Sequence, residues 1–135
     1  MTTELYYLLM SAILTAVLWI PFILGVIQAN GLMTPAYYDA PSTAPLPNWV
    51  QRANRAHQNA VENIGPFAAI VLVAHLAGVH TGLTATAAAV YFFARIVHAV
   101  VHITGFNLFW ARTLVFAVAW LAMLTIAVQV LIHFE

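Results

Sequence analysis

The 135-residue chain is 64% hydrophobic, and only 6% of its residues are charged. Soluble domains carry about 25% charged residues, so this composition excludes an ordinary soluble domain and predicts one multi-pass membrane domain over residues 1–135. The net charge of zero gives no reason to expect nucleic acid as a partner, and the lack of cysteine excludes disulfides and thiolate metal sites.

Four apolar spans follow one another along the chain. We predict membrane helices at about 5–29, 49–76, 84–103 and 110–133. Pro21 is expected to kink the first helix. Asn48 and Thr84 are candidate N-caps of the second and third helices, and Asn107 is a candidate turn residue. Because the connections after the second helix are short, neighbouring helices should be antiparallel, which predicts an all-α, up-down four-helix bundle.

The arginines predict how the bundle is oriented. Arg52 and Arg55 open the second helix and Arg112 opens the fourth, so all three should lie at the same end of the bundle. The positive-inside tendency places this end in the cytoplasm and both termini outside it, compatible with a multi-pass protein of a bacterial inner membrane. Arg52 is expected to reach the lipid head groups with its long side chain.

Two polar stripes interrupt the apolar spans. The stripe on the second helix comprises Arg52, Arg55, Asn59 and Glu62. The stripe on the third helix comprises Tyr91, Arg95, His98 and His102. Glu62 and Arg95 fall at comparable predicted depths on adjacent helices. Because a charge inside the bilayer costs at least ~2.5 kcal/mol, we predict a structural ion pair between them.

The remaining polar residues suggest a ligand. Arg55 and Arg112 begin helices at the same end and could converge on an anion, since arginine forks bind carboxylates in a bidentate manner. Together with a carboxylate and an amide, they suit a small zwitterion with several carboxylates and an amine, a class that includes glutathione. His98 and His102 are one helical turn apart and could instead bind a metal or haem. Ordinary hydrogen-bonded histidines are the simpler interpretation, and no metal ligands are assigned.

The stretch RANRAHQNAVENIGPF at 52–67, followed by FFARIVHAVVHITG and by AR at 111–112, resembles the MAPEG family. These are membrane-associated proteins in eicosanoid and glutathione metabolism, and the pattern RxxRAxxNxxExxxPF is specific to them. The resemblance implies a four-helix protomer that assembles as a homotrimer in membrane lipid. It also implies glutathione as a co-substrate, bound between neighbouring subunits, and a lipophilic small molecule as the second substrate.

The resemblance also implies roles for individual residues. The glutathione-binding positions correspond to Arg55, Asn59, Glu62, His98 and His102. Arg112 matches the arginine that stabilises the thiolate, and Thr113 follows it where some members have serine. Arg95 matches an arginine that pairs with the glutamate of the second helix.

Several positions depart from the family pattern. The end of the first helix offers only Gln28 and Asn30 where characterised members commonly carry an arginine. Gln58 stands where some relatives have a basic residue, and Phe116 replaces a tyrosine.

The polar stripes, Arg112 and the resemblance together predict a glutathione-dependent transferase or peroxidase acting on lipophilic electrophiles or lipid hydroperoxides. The alternative is a non-catalytic trimeric scaffold or lipid-binding protein with the same fold.

Overall fold

The computed structural model describes residues 1–106 and 110–135, so the candidate turn residue Asn107 lies outside the described part. The helices are α1 Thr3–Val17, α2 Trp19–Asn30, α3 Pro35–Asp39, α4 Asn48–Leu76, α5 Gly82–Thr104 and α6 Ala111–His133. Four helical segments are long and apolar enough to cross a membrane: Thr3–Asn30, which joins α1 and α2, and the helices α4, α5 and α6. The predicted all-α membrane fold of four spanning helices is confirmed.

The first span is interrupted in its middle. α1 ends at Val17, Leu18 lies in a turn, and α2 begins at Trp19. Pro21 has no N–H with which to bond the carbonyl of Val17 four residues earlier, which accounts for the break. Beyond it, Gly25 brings α2 close to α4: a Cβ added at Gly25 would lie 2.5 Å from Cγ2 of Val50. The proline therefore breaks the span, and the glycine lets its second half pack closely.

Two predicted helix caps are wrong. Asn48 lies inside α4, whose N-cap is Pro47 and makes no side-chain cap hydrogen bond. Thr81, not Thr84, is the N-cap of α5, because Thr81 has the extended backbone that a cap requires. The Thr84 N–H donates to Oγ1 of Thr81 at 3.1 Å, and the Thr81 N–H donates to Oγ1 of Thr84 at 2.9 Å. The two threonines thus form a capping box that satisfies two otherwise unpaired N–H groups.

Helix α5 is the central helix, packing against α1, α4 and α6. Its alanines Ala87 and Ala88 are buried, and small side chains let neighbouring helices approach closely. In the adjoining core, the rings of Phe67 on α4 and Tyr91 on α5 stack with their centroids 3.7 Å apart. This core holds the antiparallel pair α4 and α5 in register, which decides which of their polar residues can meet.

The bundle has two chemically different ends. The end where α4 and α6 begin and α5 stops carries Arg52, Arg55 and Arg112, and we call it the arginine end. At the opposite end, Glu4 is only 3% exposed and accepts a hydrogen bond of 2.5 Å from Oγ1 of Thr84. Nδ1 of His80 lies 3.8 Å from the other oxygen of Glu4. These contacts tie the start of α1 to the start of α5.

Candidate functional site

The polar stripes of α4 and α5 meet inside the bundle. Nη2 of Arg95 donates to Oδ1 of Asn59 at 2.8 Å, and Arg95 is only 6% exposed. One turn before Arg95 on α5, the hydroxyl of Tyr91 donates to the carbonyl of Asn63 at 3.2 Å. These two contacts fix the register of the two helices, and they bring the predicted stripes together.

The predicted ion pair between Glu62 and Arg95 is not formed among the described residues of the chain. Counting from the helix ends, Asn59 lies roughly 16 Å along α4, Arg95 roughly 14 Å along α5, and Glu62 roughly 21 Å along α4. Asn59 is therefore level with Arg95, whereas Glu62 lies about one turn deeper. Glu62 is also exposed on the outer surface of α4, away from the buried guanidinium. Asn59 takes the place that we predicted for Glu62.

The two predicted histidines lie next to this pair. His98 is 3% exposed, and its ring centroid is 5.5 Å from that of His102 and 6.1 Å from that of Phe116 on α6. Nδ1 of each histidine and Nη1 of Arg95 are buried and have no hydrogen-bond partner among the described residues. Buried polar atoms are nearly always hydrogen-bonded in folded proteins. A polar ligand that reaches this cluster could therefore form hydrogen bonds with it.

A cavity of about 270 Å³ opens beside these residues, and we call it the histidine cavity. It is lined by Asn59, His98, His102, Arg112, Thr113 and Phe116. Three helices, α4, α5 and α6, thus bring five of the predicted site residues to one place. Arg112 and Thr113 are both exposed and lie in the first turn of α6, so their side chains can meet a ligand that enters at the arginine end.

Three predicted site residues do not line the histidine cavity: Arg55, Glu62 and the buried Arg95. Arg55 and Glu62 are both exposed on α4. Their surface belongs to a helix that is long and apolar enough to span a membrane, where an exposed charge is unfavourable. The site of the single chain therefore combines its α5 and α6 residues with Asn59, while Arg55 and Glu62 of the α4 stripe face outward.

Arg52 makes a contact that its expected role as a head-group anchor did not include. Its Nε donates to the carbonyl of Ile103 at 3.1 Å, near the C-terminus of α5. A Cβ added at Gly105 would lie only 2.9 Å from its guanidinium carbon, so the glycine leaves room for the arginine. A cation suits the negative end of a helix dipole, and a glycine commonly ends a helix. An arginine able to reach the C-terminus of α5 and a glycine just after that helix were therefore the sequence features that could have predicted this contact.

Arg52 also lines a second cavity, of about 240 Å³, which we call the arginine cavity. The lining residues are Arg52, Val101, His102, Gly105, Phe106 and Arg112. His102 and Arg112 line both cavities, so the two spaces lie side by side at the arginine end.

Binding of a metal was the alternative role predicted for His98 and His102. Over residues 1–106 and 110–135, no group of three or more His, Cys, Asp or Glu residues could hold a metal ion. The chemistry of the described cavities is that of guanidinium, imidazole, amide and hydroxyl groups, which bind anions and polar ligands through hydrogen bonds.

Comparison with known proteins bears on which ligand is expected. No curated protein matches the chain at a significant level. The profile of the MAPEG family matches residues 5–132, which is nearly the whole chain. The matched region contains both polar stripes and the lining residues of both cavities, and it covers all four spanning segments except for residues 3, 4 and 133. The chain therefore belongs to the MAPEG family.

Proposed function

We propose that this protein is an integral membrane, glutathione-dependent transferase or peroxidase that acts on lipophilic electrophiles or lipid hydroperoxides. The observation that carries the proposal is the histidine cavity, at which an arginine, a threonine, two histidines and an asparagine converge in a MAPEG chain. The cavity lies within a membrane-spanning bundle. A polar thiol and an apolar substrate can therefore be held close together there.

Arg112 is the residue proposed to activate the thiol. A cysteine-type thiol has an unperturbed pKa near ~8.5, so little thiolate exists at neutral pH. A guanidinium a few Å away favours the charged form and lowers such a pKa by about 1–3 units. Arg112 supplies that charge at the cavity wall, and the hydroxyl of the neighbouring Thr113 donates a hydrogen bond to the sulfur.

The same thiolate serves both reactions. In conjugation, its sulfur forms a bond to the electrophilic carbon, and a leaving group departs with the bonding electrons. With a hydroperoxide, the sulfur attacks the terminal oxygen, the O–O bond breaks, and the alcohol is released once its oxygen is protonated. A second glutathione then displaces water from the oxidised sulfur and forms the disulfide.

The peptide part of glutathione is proposed to bind across a subunit boundary. Oδ1 of Asn59 accepts from Arg95, which leaves the Asn59 amide group free to donate, and His98 and His102 offer further hydrogen bonds. Arg55 and Glu62 suit the carboxylate and the ammonium group, but both face outward from the protomer. A charge exposed to lipid costs at least ~2.5 kcal/mol, so we propose that a second copy covers them in a homotrimer.

Turnover by the purified protein in lipid vesicles tests this proposal. Conjugation of a lipophilic electrophile and reduction of a lipid hydroperoxide would each be measured with saturating glutathione. Arg112→Ala should lower the rate roughly tenfold or more, because the thiol pKa rises by about a unit or more. Gln129→Ala, on α6 but outside both cavities, should match the wild type. The absence of both activities in the wild-type protein would refute the proposal.

A non-catalytic trimeric scaffold is the second candidate, and two observations favour it. Phe116 presents a ring to the histidine cavity in place of a hydroxyl, and the end of α2 offers Gln28 and Asn30 but no cation. Glutathione binding distinguishes the candidates. Saturable binding that Arg55→Ala abolishes would refute a pure scaffold, whereas no binding at millimolar glutathione would favour it.

The orientation follows from the same arginines. We propose that the arginine end faces the cytoplasm of a bacterial cell, with both termini on the outer side of the inner membrane. Because the chain has no cysteine, single cysteines can be introduced at Thr3 and at Thr43 without background. A membrane-impermeant thiol reagent applied to intact inner-membrane spheroplasts should label the former and not the latter. The reverse pattern would contradict this orientation.

A further inference from the structure

The arginine cavity has the chemistry of an anion site. Arg52 and Arg112 both line it, His102 completes its polar wall, and no acidic residue is among its described lining residues. Arg52 uses its Nε to bond the carbonyl of Ile103, and among residues 1–106 and 110–135 the terminal nitrogens of its guanidinium make no hydrogen bond. Two arginines that face one small space, with no carboxylate between them, favour an anion there because like charges repel.

The position of the cavity indicates where this anion comes from. Arg52 lies in the second turn of α4, Ile103 lies near the end of α5, and Arg112 lies in the first turn of α6. The ends of membrane-spanning helices lie near the level of the lipid head groups. Basic pockets between membrane helices bind phosphorylated head groups at this level. The cavity is therefore placed to bind the charged group of a membrane lipid.

An apolar groove lies next to the arginine cavity, along the seam between α5 and α6. The groove has a volume of about 430 Å³ and is apolar apart from Thr86. Val97 lines the groove one turn before Val101, which lines the arginine cavity, so the two spaces follow each other on the same face of α5. From Val101 to Val90 the seam runs roughly 16 Å, about half of the ~30 Å hydrocarbon core.

We propose that this seam is a binding site for an anionic phospholipid. The phosphate lies in the arginine cavity between Arg52 and Arg112, and one acyl chain lies in the apolar groove past Val97. The charge of the cavity and the position of the groove one helical turn away on both α5 and α6 carry the assignment. The site goes beyond the proposed glutathione chemistry and needs no turnover, although Arg112 also lines the histidine cavity and so connects the two.

Native mass spectrometry of the purified protein tests the proposal. The protein would be released from vesicles containing phosphatidylglycerol and phosphatidylcholine with the same acyl chains, and the retained lipids would be counted. We expect the wild type to retain phosphatidylglycerol preferentially. Arg52→Gln should weaken that retention tenfold or more, since it removes charge-assisted hydrogen bonds worth about 1.5–3 kcal/mol. Arg55→Gln is the matched control, because Arg55 is also on α4 but lies outside the arginine cavity.

A second variant keeps the test decisive if Arg52→Gln fails to fold. Val97 is 47% exposed, so Val97→Trp fills the groove without entering the core and should also reduce phosphatidylglycerol retention. Equal retention of the two lipids by the wild type would overturn the proposal. An equal loss in Arg55→Gln would overturn it too. Displacement of phosphatidylglycerol by a stoichiometric amount of palmitate would show that a fatty acid, and not a phospholipid, is the ligand.

Discussion

Replacing Asn59 with leucine removes the acceptor that holds Arg95 inside the bundle. Arg95 is 6% exposed, its Nη2 bonds Asn59 Oδ1 at 2.8 Å, and its Nη1 already lacks a partner among the described residues. A hydrogen bond to a charged group contributes about 1.5–3 kcal/mol, and losing it leaves the buried guanidinium unsatisfied. We therefore expect Asn59→Leu to lower the free energy of unfolding by about 1.5–3 kcal/mol.

Reversible unfolding in mixed micelles, followed by circular dichroism, measures this change. Glu62→Gln is the matched control: Glu62 lies one turn from Asn59 on the same helix, is exposed, and makes no ion pair with Arg95 among the described residues of the chain. Its unfolding free energy, measured on the monomeric protein, should stay within about 0.5 kcal/mol of the wild type. If Glu62→Gln destabilised the monomeric protein and Asn59→Leu did not, the register of α4 and α5 described above would be wrong.

Three further substitutions test other contacts by the same unfolding measurement. Thr84→Val removes the hydroxyl that bonds buried Glu4 and should cost about 1–3 kcal/mol, whereas wild-type stability would show that this bond is not formed. Gly25→Ala places a methyl group against Val50 and should cost about 1–3 kcal/mol, which Val50→Ala should partly restore; an unrestored loss would point to another cause. Gly105→Ala should cost about 1–3 kcal/mol, because Gly105 has a φ of 75° and touches Arg52, and a neutral result would contradict that backbone conformation.

The spanning segments were predictable because their physics is local. A bilayer core of ~30 Å requires about 20 apolar residues in a helix, and that requirement can be read from composition alone. The break near Pro21 was predictable for the same reason, since the missing N–H affects only the preceding turn. Helix geometry alone predicted only that Arg55 and Arg112 begin helices at the same end. The resemblance to the MAPEG family implied that His98, His102 and Arg112 belong to one site, and these three residues line one cavity.

The partners of the buried charges were not predictable in the same way. Whether Arg95 meets Asn59 or Glu62 depends on the relative shift of two helices by about one turn. The core contact of Phe67 with Tyr91 helps to set that shift, and it joins residues that are distant in sequence. The contact of Arg52 with α5 was missed for a related reason: an arginine at a helix start can reach the head groups, a neighbouring helix end, or both. Only the position of Ile103 and Gly105 beside Arg52 shows that the contact with the helix end is formed.

The central claim is that the histidine cavity binds glutathione and that Arg112 promotes ionisation of its thiol. The most direct test is the ultraviolet absorbance of the thiolate when glutathione is titrated with pH in the presence of the purified protein. Because a guanidinium stabilises the charged form, the bound thiol should ionise below its usual pKa of ~8.5, and Arg112→Ala should shift it back upward. Bound glutathione that ionises at the same pH with and without Arg112, or no binding at all, would contradict the account.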